Sequence, residues 1–343
     1  MRMVSAALAW VVLATAAPAA AETAGFKDWR VACDNVQACM AIGFSEGEYA
    51  IGPYLVIRRE PGPDGAIEAY IVLTSGDQDP PKGAQVAITV TGAKPKRFTG
   101  TSDDAADFPR IRFTDAQVPQ LIAALKDGSG IRLEAGGRTL GTISLAGSSA
   151  ALRWIDDRQG RAGGVTAMVA TGRRPALAVP APKDLPVWRA GPRVDQEALP
   201  PFPAALAARP EVKACAEEQG DPDDGFGKPE AVARLSKDEY LWAIPCGRGA
   251  YNFSALYMIA DRNGGGLRSP GLGDDDMLVN GGFDPETRIL AAFNKGRGPG
   301  DCGQEDEFVW DGRTFRQLRH AEMNDCRGVP SVDWLVTYRA QVR

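Results

Sequence analysis

Six cysteines, spaced as three local pairs, constrain this chain more than any other feature: Cys33 and Cys39, Cys215 and Cys246, Cys302 and Cys326. There is no Cys-x-x-Cys, and His320 is the only histidine, so the thiols lack the clustered spacing of a zinc site. An even set of this kind reads as disulfides in an oxidising compartment. Several pairings are open, and joining each cysteine to its neighbour is the favoured one. Each tie would contribute about 2–4 kcal/mol, a large part of a domain's net stability. The last pair brackets Phe308 to Phe315, two apolar runs separated by Asp311-Gly312. That dipeptide tolerates the positive φ of a tight turn, so the segment predicts a β-hairpin closed by sulfur.

The compartment is read from the other end. Arg2 precedes the apolar run Val4 to Leu13, and small residues follow from Ala16 to Ala21. A charged start, a short apolar centre and a small-residue site predict a signal peptide over 1–21, cut after Ala21. The apolar centre is shorter than the roughly 20 residues a membrane anchor needs. No cysteine stands at the cut, which argues against a lipid anchor, and no spanning run follows in the mature chain. The expected location is periplasmic or secreted. A net charge of −5 argues against nucleic acid or an anionic membrane as the main partner.

At 343 residues, two domains are expected. The fold class predicted is mainly β. From residue 22 to 171 short alternating runs recur, among them Trp29–Cys33, Tyr54–Arg58, Tyr70–Thr74, Gln85–Thr91 and Thr139–Leu145. They predict a β-sandwich or partly closed barrel with two short helices. One helix would be capped by Asp115 and ended by Gly128, the other capped by Ser148 or Ser149 and ended by Gly160. Residues 172–210 carry nine prolines and read as a semi-rigid linker, with Val187, Trp188 and Phe202 available to pin it to a domain surface. Residues 211–343 predict a disulfide-tied β-meander, opened by one short helix at Pro210–Gly220 that carries Cys215.

The stretches Tyr240 to Asn252, Lys295 to Gly303, Trp310 to Phe315 and Trp334 to Ala340, with six cysteines and this length, resemble the bacterial domain-of-unknown-function 1176 family. The resemblance implies an exported protein and a cysteine framework, with no assigned reaction. The N-terminal region, through Phe26 to Cys33 with Cys39 and through Ile143 to Leu152, is similar to the invasion-associated locus B family. That likeness implies a β-rich periplasmic or secreted domain, although no cysteine stands between Thr101 and Val118 where that family carries a second pair.

No catalytic residue, metal ligand or cofactor site is predicted. The sequence holds no second histidine to work with His320, so it reads as an ordinary loop residue. Two acidic runs, Asp221 to Gly225 and Asp274 to Asp276, suit calcium by composition. An EF-hand is excluded because Val232 occupies the position of the bidentate glutamate, and solvated turns are the default reading. Gly296-Arg297-Gly298-Pro299-Gly300, next to Cys302, is the most suggestive loop. Glycines let backbone approach a ligand, and the Arg297 fork suits carboxylate or phosphate; equally, glycine is needed where chain turns into a disulfide, and that reading is preferred. Arg248, between Gly247 and Gly249 after Cys246, repeats the theme. The candidate ligand residues are therefore Arg248, Arg297, Gly296 and Gly298. The function expected is non-enzymatic binding of an envelope component or another protein. A carboxylate-dependent hydrolase of an envelope polymer is the alternative, and a thiol protein with free cysteines a third.

Overall fold

The computed structural model describes residues 22–47, 51–74, 83–103, 108–196, 198–219 and 227–343. The leader expected over residues 1–21 lies outside them. In the N-terminal region the alternating runs become β1 (Glu22–Phe26), β2 (Trp29–Cys33), β3 (Cys39–Gly43), β4 (Tyr54–Arg59), β5 (Ile67–Val72), β6 (Gln85–Gly92), β7 (Lys96–Thr101), β8 (Arg110–Arg112), β9 (Gly128–Ala135) and β10 (Arg138–Ser144). One antiparallel sheet runs β1-β2-β3-β4-β5-β8 and a second β10-β9-β6-β7. Both sheets are open, and no closed barrel forms. A core of Trp29, Leu55, Ile71, Ile88, Leu121 and Leu152 joins the two sheets to α1 (Val118–Asp127) and α2 (Ser148–Arg158). Burying each such side chain contributes about 1.5–3 kcal/mol.

The helix ends differ from expectation. Gln117, not Asp115, is the residue before α1, and it makes no side-chain cap. The amides of Gln117 and Val118 are satisfied instead by the carbonyl of Thr114. Ser148 is inside α2, after a left-handed Gly147 (φ 101°), and its hydroxyl donates to the Leu125 carbonyl of α1. The serine thus ties two helices together instead of capping one.

Residues 172–210 hold β11 (Val187–Trp188) and the single turn α3 (Ala204–Ala207). Trp188 Nε1 donates to the Gln317 carbonyl at 3.0 Å, and Gly191 N to that of Trp310 at 2.7 Å. Phe202 meets Trp242 edge-on. Beyond it come α4 (Pro210–Gln219), β12 (Glu230–Arg234), β13 (Tyr240–Arg248), β14 (Phe253–Ala260), β15 (Met277–Val279), β16 (Gly282–Asp284), β17 (Ile289–Lys295), β18 (Gly303–Trp310), β19 (Phe315–Met323), β20 (Leu335–Arg339) and β21 (Gln341–Val342). The last strand pairs in parallel with β11. Sheets β12-β13-β14-β15 and β16-β17-β18-β19-β20 keep sequence order throughout, which is a meander in two layers. A core around Leu241, Tyr257, Ile259, Leu290 and Trp310 lies between these layers, and α4 covers a second cluster with Trp242 and Ile244.

The disulfides join Cys33–Cys39, Cys215–Cys246 and Cys302–Cys326, and no cysteine is free. The first closes the β2–β3 hairpin in register, and the second pins α4 onto β13. The third stands just outside β18 and β19, whose turn runs through Asp311 and Gly312 (φ 95°). The free-thiol reading is therefore excluded in this structure.

A further core crosses between the regions. Ile42, Tyr54, Val56 and Tyr70 of the first sheet pack with Cys302, Met323 and Trp334. At its centre Asp333, wholly buried, accepts the Tyr54 hydroxyl at 2.8 Å and the Tyr70 hydroxyl at 2.6 Å, and pairs with Arg110 at 3.0 Å. Arg30 adds a two-pronged bond to Asp325, at 2.6 and 2.8 Å.

Candidate binding site

The structure brings the two arginine–glycine loops side by side. One is the β13–β14 turn carrying Arg248, the other the β17–β18 loop carrying Arg297. Three asparagines lock them. Asn252 Nδ2 donates to Asn294 Oδ1 at 3.1 Å and to the Lys295 carbonyl at 2.8 Å, while its Oδ1 accepts Lys295 N. Asn280, in the left-handed region (φ 51°), donates to the carbonyls of Tyr251 and Phe293 and to Asn252 Oδ1, and accepts Phe253 N. Backbone groups of both loops find partners this way. The tip they hold exposes Tyr251 (38%) and Phe253 (43%).

The four residues singled out from the sequence have different duties. Arg297 Nε donates to Asp301 Oδ1 at 2.7 Å, and its other prong bonds the second oxygen, which also accepts Gly328 N at 2.7 Å. Burial pushes the Asp301 carboxyl up, but these bonds outweigh it and hold it below the usual carboxylate range. Arg297 is thus committed to holding the loop against Gly328. Gly296 has no room for a side chain, because a Cβ there would meet Cys302 Sγ at 2.7 Å. Gly298 lies along the ring of Tyr251. Arg248 lines a cavity.

That cavity is a groove of about 620 Å³ on the sheet β12–β15, continuous with the tip. Val232, Ala243, Pro245 and Ala255 form an apolar floor, because residues two apart on a strand share a face. Phe253 stands beside Arg248, its cross-strand partner, and Lys228 and Glu230 complete the charged groups. Tyr257 reaches in from the core. It is 3% exposed, burial pushes its hydroxyl up to about 12, and no residue described here bonds that hydroxyl. Gly281, also on the groove, is where the hydroxyl sits; a Cβ there would collide with it.

A second groove, of about 560 Å³, follows the seam between the regions. Within it Arg319 pairs with Glu305, and Arg339 with Asp34 and Glu60. Burial raises the Asp34 carboxyl above its ordinary value, against the pull of Arg339. His320 is in β19, not in a loop, and its Nδ1 lies 2.7 Å from Asp306 Oδ1. The bond to Asp306 raises its pKa, with burial opposing. Of the acidic runs, Asp221 to Gly225 lies outside the described residues. In the other, Asp276 accepts the amides of Gly271 and Leu272, and Asp275 that of Met277, as turn carboxylates do. No group of three or more His, Cys, Asp or Glu suited to a metal occurs among the described residues. No helix described is long and apolar enough to cross a membrane.

A family model described as protein of unknown function (DUF1176) matches residues 23–341. The chain belongs to the DUF1176 family. It is 28% identical over 319 residues to the "Uncharacterized protein YpfG" of Escherichia coli strain K12, covering 88% of each chain. No solved structure matches. The DUF1176 match runs unbroken across both regions, and a separate likeness of residues 22–171 to the invasion-associated locus B family finds no support.

What sequence reasoning missed in this DUF1176 chain are partners distant in sequence. Tyr257 reads as a strand aromatic, and nothing local shows that its hydroxyl ends in a groove. Asn280-Gly281-Gly282 did carry a signal, since asparagine before two glycines favours a left-handed turn.

Proposed function

We propose that this DUF1176 protein is exported and acts, in the periplasm or outside the cell, as a non-enzymatic protein binding an envelope component or another protein. The observation that carries this reading is the locked tip. Three asparagines spend their hydrogen bonds fixing two loops, and the outcome is a pair of exposed aromatics, Tyr251 and Phe253, above a groove with Arg248 on its wall. Rigid aromatics beside an arginine are the usual anchors of recognition surfaces. Three disulfides fit an oxidising compartment, which supports export. This reading keeps residues 22–171 and 211–343 as two units joined by 172–210.

Cross-linking and pull-down from envelope extract test it, comparing the native protein with Arg248→Ala and with a Tyr251→Ala/Phe253→Ala double variant. Partners held by the native protein and lost by the variants are expected. Recovery of the same partners by every variant would show that the tip is the wrong surface. Turnover of envelope polysaccharide or peptide by the purified protein, lost on one Asp or Glu replacement, would replace binding with hydrolysis. Mass spectrometry of native-source material checks export, which an intact leader or free thiols would refute.

A further inference from the structure

We propose that the loop after α2 seats this protein on an anionic lipid surface, through an exposed apolar run flanked by cations. The inference goes beyond the tip and its groove and rests on the export reading, which supplies the membrane.

The run comes first. Pro175 to Pro182 are eight consecutive apolar residues, and six of the eight are exposed. Surfaces avoid apolar stretches of this length unless a function needs them. Leu177 is 88% exposed and Val165 59%, the two most exposed large hydrophobic side chains among the described residues. Scattered single cases are ordinary, but these two belong to one loop. Val165 N donates to the Arg174 carbonyl at 2.9 Å, and Arg174 N to that of Gly163 at 3.0 Å.

The loop is held in shape. The amides of Ala178 and Val179 donate to the carbonyls of Pro175 and Ala176, closing a single 3-10 turn at Ala176–Ala178 with Leu177 in its middle. Val179, 5% exposed, anchors it, and Pro180 and Pro182 lie against Gly160 and Gly62. The Arg174 guanidinium donates to the carbonyls of Gly160 and Ala162, just past α2. The fold thus holds Leu177 out in water, where it gains nothing from the chain itself.

Charge selects the surface. Arg173 and Arg174 precede the run and Lys183 follows it, with Asp184 the one acid in residues 173–184, so the flanks sum to 3 − 1 = +2. Every residue of that segment is described. Arg173 and Lys183 have no partner among the described residues, and the partners of Arg174 are carbonyls, which leave its charge in place. In a chain with a net charge of −5 these flanks go against the trend. Long cationic side chains reach headgroups while an apolar turn enters the acyl boundary, which is the chemistry of an interfacial anchor. A protein module that reads proline-rich chain takes an extended polyproline helix, and the 3-10 turn here is not one.

Flotation of the full mature protein, disulfides intact, uses vesicles of equal parts phosphatidylglycerol and phosphatidylcholine, and vesicles of phosphatidylcholine alone. Reversible binding to the anionic vesicles is expected, lost in about 1 M salt, where charges are screened beyond about 3 Å. Arg173→Gln should weaken it by about fivefold, the worth of one cation near an anionic surface. Leu177→Asp should weaken it by about tenfold or more. Both side chains are exposed, so the thermal midpoints should hold. The Tyr251→Ala/Phe253→Ala variant should float like the native protein.

Equal binding to both kinds of vesicle, or an affinity unmoved by Leu177→Asp, overturns the proposal. Self-association without lipid that Leu177→Asp abolishes assigns the run to a second copy and overturns it too. Capture of a soluble protein through Leu177, with no vesicle binding, does the same. An intact leader on native-source material sinks the export reading, whereas failed flotation sinks the lipid anchor alone.

Discussion

The seam around Asp333 and the groove around Tyr257 bury the same chemical group under opposite terms. At the seam, the hydroxyls of Tyr54 and Tyr70 both donate to one carboxylate with no exposure to solvent, and Arg110 balances its charge. Burial and the Asp333 charge push both phenols up, so they stay protonated donors. In the groove, burial alone raises Tyr257, because no charge or bond reaches it. The fold does not complete every buried group, since the Nε atoms of Arg59, Arg110, Arg288 and Arg327 and Nε1 of Trp310 are buried without a partner among the described residues, so the contrast between these tyrosines lies in what each hydroxyl contributes to stability.

The largest test of that contrast removes the centre of the seam. Asp333→Ala strands a buried guanidinium and two hydroxyls, and should cost about 3–5 kcal/mol of unfolding free energy. Denaturant titration measures it, and a loss under about 1 kcal/mol would show that the seam holds without its carboxylate. Next in size is the Cys302→Ala/Cys326→Ala variant, expected to lose about 2–4 kcal/mol. Cys302 is buried in the same seam, so the loss should come with weaker protection of Trp334 from quenching.

The sharpest test is a matched pair. Tyr54→Phe removes a bond to a charged group and should cost about 1.5–3 kcal/mol. Tyr257→Phe deletes a hydroxyl that bonds nothing among the described residues and should cost nothing, or stabilise slightly. Equal losses in the two variants would erase the distinction between the two tyrosines.

Period-two alternation and turn chemistry are local, and they were enough for the β class, the hairpin at Asp311-Gly312 and the neighbour disulfides. The Gly296-Arg297-Gly298 loop was legible as special, but its reason was not. Gly296 is small because Cys302 Sγ lies against it, and Arg297 is spoken for by Asp301. Helix ends failed for a related reason: Ser148 bonds a carbonyl on another helix, which no local rule anticipates. Asp333 is separated from Tyr54 by 279 positions, so its partners exist only once the chain has folded. His320 was misplaced in a loop because Arg319, Arg316 and Glu322 around it obscure the strand period.

His320 gives the smallest effect and decides to which class its own contact belongs. The bond to Asp306 is the main cause of its raised pKa; burial opposes it, and the Asp306 and Glu322 charges add to it. The folded state therefore holds the proton more tightly than the unfolded chain, whose value is 6.5. The stability so gained is fully present below that value and is lost as pH rises through the raised folded value. As pH rises above 6.5, native protein should lose stability that His320→Gln does not lose. Because the side chain is 24% exposed, the difference should stay below about 1 kcal/mol. Urea midpoints for both proteins across this range measure it, and parallel curves would mean that the Asp306 contact is not formed in solution. A difference of the expected sign instead puts His320 with Tyr54 and Tyr70, among groups whose partners the chain itself provides.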